Sequence, residues 1–95
     1  MDFTRVIELK PDYIEAYVMR AAAYEMKKDW DRAILDYTKI IKLKPNDAQA
    51  YYDRGNAYGE KGEREAAISD LKKARELTND STLRQKIEEL LKHLQ

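Results

Sequence analysis

Apolar side chains return at every third or fourth position through most of the chain. Ile14, Tyr17, Ala21 and Tyr24 form one stripe, and Ala48, Tyr51, Gly55 and Tyr58 form another. Ala33, Ile34, Tyr37, Ile40 and Ile41 make a third, and Ala67, Ile68, Leu71, Ala74 and Leu77 a fourth. Two more stand at the ends: Phe3, Val6 and Leu9, then Leu83, Ile87, Leu90, Leu91 and Leu94. Such spacing gathers side chains on one face of an α-helix, and it predicts six helices at about 2–10, 13–27, 30–44, 47–61, 64–78 and 83–94. Start signals are expected from Asp12 with Glu15, Asn46 with Gln49, and Thr82 with Gln85, each an acceptor with a reaching partner three residues on. Pro11 and Pro45 end the preceding helices, because proline cannot continue one without losing a hydrogen bond and clashing. Breaks near Lys28–Asp29 and at Gly62 separate the helices of a pair.

The same phrase is written twice. "DFTRVIELKP" at Asp2 returns as "DYTKIIKLKP" at Asp36, an offset of thirty-four residues. At that offset Tyr17 falls on Tyr51, Arg20 on Arg54, Tyr24 on Tyr58, Ala33 on Ala67 and Asp36 on Asp70. A repeat of this length marks an array of helix pairs. Ala21, Gly55, Ala33 and Ala67 are small residues inside apolar stripes, where they let two antiparallel helices approach closely. The tyrosines and Trp30 then fill the flanking space with rings whose polar ends reach water.

This pattern resembles the tetratricopeptide repeat, a helix–turn–helix of thirty-four residues with the motif W-x2-L-G-x2-Y, A-x3-F and P. Tyr17, Ala21, Tyr24, Ala33, Tyr37 and Pro45 match or conservatively replace it, as do Tyr51, Gly55, Tyr58, Ala67 and Leu71. Arg20 and Arg54 depart from it at the Leu position, and Asn79 at the Pro position. The resemblance implies an all-α, right-handed α-solenoid of antiparallel helix pairs, about six helices in all. Residues 1–13 then read as the second-helix half of a truncated repeat, 14–47 and 48–81 as full repeats, and 82–95 as a C-terminal capping helix. The turn "TNDST" is expected to carry two extra residues, because the box at Thr82 lies thirty-six after Asn46. Phe3, Val6 and Leu9 should pack on the helix holding Tyr17 and Arg20. The chain reads as the C-terminal piece of a longer array, whose open N-terminal end frays or self-associates.

Composition narrows the function. With 18 Lys plus Arg against 18 Asp plus Glu, the 95 residues carry no formal net charge, and the charges alternate as on solvated helix faces. No basic patch suggests nucleic acid, and no run is long enough for a membrane span or signal peptide. The absence of cysteine suits a reducing compartment, so the expected location is cytoplasmic. His93 is the lone histidine, no cluster has metal-ligand spacing, and no serine stands in a nucleophile-like turn. Neither cofactor nor metal nor catalysis is expected.

A partner surface is the remaining candidate. At about 100° per residue, Glu15, Met19, Ala22 and Met26 lie opposite Tyr17 and Ala21. Gln49, Asp53, Asn56 and Glu60 hold the same places one repeat later, with Val18 and Tyr52 beside them. In the family this surface is the concave groove that holds a peptide or partner helix, so the resemblance implies a site at Val18, Met19, Ala22, Met26, Tyr52, Asp53 and Asn56. Tyr52 offers a stacking plate, Asn56 a donor and an acceptor, and the methionines an adaptable apolar contact. Chaperone-binding members clamp a terminal carboxylate with Lys, Arg and Asn. The corresponding slots here are Val18, Ala22 and Asp53, and only Asn56 is clamp-like, so acidic tails fit poorly. Arg20 and Arg54 read as structural, and the favoured pairing crosses repeats, Arg20 with Asp2 and Arg54 with Asp36; pairing within repeats, with Asp36 and Asp70, is the alternative. The expected function is a protein-binding module of unknown partner. The alternative is a purely structural segment of a longer solenoid, cut or engineered, with no ligand of its own.

Overall fold

A computed structural model describes residues 2–95 as α1 (Phe3–Leu9), α2 (Ile14–Met26), α3 (Trp30–Leu43), α4 (Ala48–Lys61), α5 (Arg64–Leu77) and α6 (Ser81–Leu94). There is no strand among the described residues. Each helix packs on the next in sequence, and α4 also touches α6. The result is an elongated stack of 40 × 26 × 19 Å, an α-solenoid of helix pairs. Its core is divided. One cluster holds Tyr17, Ala21, Ala33, Tyr37, Ile40 and Ala50; a second holds Leu71, Ala74, Leu83, Ile87 and Leu91. Neighbours stabilise neighbours, as expected of a one-dimensional array.

Proline sets the turns between pairs. Lys10 and Lys44 precede proline and leave the helical region, with φ −137° and −135°. Pro11–Asp12 and Pro45–Asn46 then form the corners of turns closed by Tyr13 N–H to Lys10 O at 3.1 Å and Asp47 N–H to Lys44 O at 3.2 Å. Asp12 and Asn46 are thereby used up as corner residues. The N-caps fall one position later, contrary to the expected start signals. At α4 this supplies Asp47, which accepts from Ala50 N–H at 3.3 Å; at α2 it supplies Tyr13, which makes no side-chain cap. Without a proline, the last turn is built from Thr78, whose hydroxyl accepts from Asp80 N–H at 3.0 Å. Asp80, not Thr82, caps α6, accepting from Thr82 and Leu83 N–H. The last helix therefore starts at Ser81, and N-caps at Tyr13, Asp47 and Asp80 place it one residue early rather than two late.

Within pairs, both turns close alike. Asp29 N–H reaches Tyr24 O at 2.8 Å and Glu63 N–H reaches Tyr58 O at 2.9 Å, the longer bond of a Schellman cap. Gly62 takes the left-handed conformation this needs at φ 93°, and Lys28 takes it at the equivalent position with φ 59°.

The arginines correct a second expectation. Arg20 and Arg54 pair within repeats: Arg20 donates to both oxygens of Asp36 at 2.9 and 2.5 Å, and Arg54 to both oxygens of Asp70 at 2.7 and 2.8 Å. Asp36 and Asp70 are buried on the face of α3 and α5 that meets the preceding helix, so they turn toward their own repeat's arginine. The remaining guanidinium nitrogen crosses to the preceding repeat, where Thr4 and Thr38 accept at 3.3 and 3.2 Å. Tyr17 with Tyr24, and Tyr51 with Tyr58, place their rings 5.7–5.8 Å from the charge. Asp2 caps α1 instead.

On α1 the packed residue is Ile7, which lies against the first cluster, whereas Leu9 is 70% exposed and Phe3 and Val6 are half-buried. Leu9 sits about 120° around the helix from Phe3, and Ile7 only about 40°.

Close approach of α4 and α5 depends on Gly55. A Cβ there would stand 3.1 Å from Leu71 Cγ and 3.2 Å from the Ala67 carbonyl oxygen. Gly55→Leu should therefore destabilise the protein by about 1–3 kcal/mol through overpacking. Thermal or urea unfolding checks this, and an unchanged midpoint would contradict the packing account.

Candidate functional site

The outward positions of α2 and α4 differ in kind. On α2, Val18 is 42%, Met19 53% and Met26 86% exposed, and Ala22 is also exposed. Tyr52, Asp53 and Asn56, one repeat later, are half-buried, because α6 packs on α4 and covers part of that face. Tyr52 lies against the second core cluster, so part of its ring is spent on holding α6. Met26 is the last residue of α2 and stands at the rim. Val18, Met19 and Ala22 thus form an apolar half, and Tyr52, Asp53 and Asn56 a polar half that is partly sheltered.

The sheltered half contains groups that sequence reasoning placed elsewhere or passed over. Tyr37, read as core, is 3% exposed, and its hydroxyl donates to Glu25 Oε1 at 2.8 Å. Gln49 Nε2 donates to Asp53 Oδ1 at 3.0 Å. Burial pushes the Glu25 carboxyl up, opposed by the Tyr37 hydrogen bond and aided by Glu60. Burial also raises Asp53 to about 6, opposed by Gln49 and Lys86 and aided by Glu25 and Asp47. The phenols of Tyr37 and Tyr52 are held above their ordinary value, first by burial. Glu25 carries no sequence signal beyond its place next to last in α2. Its role depends on which side chain of α3 it meets.

Among the described residues, no group of three or more His, Cys, Asp or Glu could hold a metal ion, and no helix is long and apolar enough to cross a membrane. The site can offer apolar contact, amide hydrogen bonds and negative charge.

A family model described as tetratricopeptide repeat matches residues 21–92. No curated protein matches the chain. Among solved structures, the type III secretion translocator chaperone SycD of Yersinia enterocolitica superposes with a TM-score of 0.90 at 19% identity, over 97% of this chain and 66% of that one. The TPR2B domain of yeast Sti1, in a complex with pHsp70, gives 0.88 at 27% identity, over 97% and 76%. YrrB, described as a TPR protein with an unusual peptide-binding site, gives 0.82 at 25% identity, over 92% and 45%. The chain thus spans less than two thirds of SycD and under half of YrrB.

The raised carboxyl of Asp53 has a consequence for stability. Its folded value of about 6 lies above the ordinary 3.8, so between those values the folded state keeps a proton that the unfolded state has lost. The group therefore adds stability as pH falls through that window and burdens the fold above it. Asp53→Asn keeps the acceptor for Gln49 and should stabilise the protein by about 1 kcal/mol near pH 7.5, with the gain shrinking toward about pH 4.5. Urea unfolding of both proteins at the two pH values measures this. Equal stability near neutral pH would contradict it.

Proposed function

Because the chain belongs to the tetratricopeptide repeat family, we propose that it is a protein–protein interaction module that takes a peptide or partner helix along α2 and α4. The contact surface is Val18, Met19, Ala22, Met26, Tyr52, Asp53 and Asn56. One observation carries this reading: Val18 and Met19 are 42% and 53% exposed on a helix whose other face supplies the core residues Tyr17 and Ala21. Apolar side chains held open on a rigid helix are the usual anchor for an amphipathic segment, with adaptable methionine suiting varied partners. Asn56 adds a donor and an acceptor for a partner's backbone. YrrB, described as having an unusual peptide-binding site, and the Sti1 domain in its complex with pHsp70 support the same reading. In repeat terms it rests on residues 14–47 and 48–81, closed by the last helix.

Selection of displayed peptides on the intact chain, followed by amide shift mapping, tests the site. Binders should perturb Val18, Met19, Tyr52 and Asn56, and the double substitution Tyr52→Ala, Asn56→Ala should weaken them about tenfold or more. Perturbation centred on α3, near Lys39, would overturn the placement. A selection that yields no binder would favour a purely structural segment.

A further inference from the structure

The sheltered half of the groove is rich in negative charge that no salt bridge among the described residues neutralises. Glu25 and Asp47 both act on Asp53, Glu60 acts on Glu25, and Glu89 acts on Tyr52. Lys86 is the opposing charge that Asp53 feels. None of these five carboxylates forms a salt bridge among the described residues. Asp36 and Asp70, by contrast, are each gripped by an arginine. Glu25 and Asp53 each accept one hydrogen bond from a neutral donor, which leaves lone pairs on both carboxylates for a further N–H. Tyr52, which precedes Asp53 in the chain and feels its charge, is half-exposed, and on the first helix of the preceding repeat Val18 and Met19 stand open. The molecule already sets arginine against tyrosine rings at 5.7–5.8 Å in both repeats, so ring, cation and carboxylate form a combination this fold accommodates.

Building on the groove reading above, we propose that the partner segment carries a lysine or arginine flanked by apolar residues. Its cation sits by Glu25 and Asp53 against Tyr52, while the apolar flanks lie on Val18 and Met19. Charge complementarity commits the surface to this occupant. A terminal carboxylate or acidic segment would enter a field of five acids, and such like-charge juxtaposition rejects wrong partners.

Three pools of acetylated, amidated nonapeptides test the proposal, with arginine, leucine or glutamate at the centre and randomised flanks in each. At about pH 7.5 and low salt, the arginine pool should bind the intact chain about tenfold more tightly than the leucine pool, and the glutamate pool should bind weakest. Asp53→Asn with Glu25→Gln, checked for folding by thermal melting, should shrink the ratio of arginine-pool to leucine-pool affinity to about twofold. Lowering the pH to about 5 should shrink it in the same direction, because Asp53 takes up a proton. Equal binding of the arginine and leucine pools, both lost in Tyr52→Ala, would overturn the cation site and leave the groove standing. A preference for glutamate would overturn it as well. Failure of all three pools at millimolar concentration would overturn both readings.

Discussion

An ionised carboxylate is tolerated away from water only where a cation and hydrogen bonds replace its hydration. Asp70, at 6% exposure, meets that condition through two bonds from Arg54, and Asp36, at 3%, through two from Arg20. The third guanidinium contact, to Thr38 or Thr4, ties in the helix of the preceding pair. One side chain on a first helix thus fixes both its own second helix and the one before it. The fork demands two parallel bonds in one plane, so it sets relative rotation of the helices as well as their spacing.

Much of the rest follows from holding that contact at short range. α4 and α5 can come close enough for Arg54 to reach Asp70 because Gly55 presents no side chain to Leu71 and because Ala67 is wholly buried. Tyrosines one turn to either side of each arginine flank the guanidinium with their rings at 5.7–5.8 Å. In the last helix the corresponding position, counted from the N-caps Asp47 and Asp80, is Ile87 rather than an arginine. There packing passes to aliphatic side chains, with Ile87 wholly buried and Leu91 nearly so. With the arginine side of α4 committed to structure, the surface proposed for partners lies on its other side.

The periodic core was legible from spacing alone, because Tyr17, Ala21, Ala33, Tyr37 and Leu71 repeat in step with the helix and each is buried. Which acid each arginine would take was not. Asp2, Asp36 and Asp70 stand at the same repeat position, so sequence offers two equivalent partners and only helix rotation decides between them. Thr4 and Thr38 carried a signal in the shared "DFT" and "DYT", but a threonine on a helix face has too many readings to be singled out. Cap positions shifted because each proline turn consumes a corner residue, a geometric effect that a capping box does not encode. Of the candidate surface, Val18 and Met19 were legible as outward-facing from helix spacing, and both are exposed. The Glu25–Tyr37 contact joins side chains twelve positions apart on two helices, and no local pattern announces it.

A double-mutant cycle at Arg54 and Asp70, followed by urea unfolding, tests the dependence on the buried pair most directly. Arg54→Met should cost about 3–5 kcal/mol by stranding Asp70, and Arg54→Met with Asp70→Leu should recover much of that loss. Additive effects, or an Arg54→Met protein within about 0.5 kcal/mol of the unsubstituted one, would show that the helix pairs stack without the arginine.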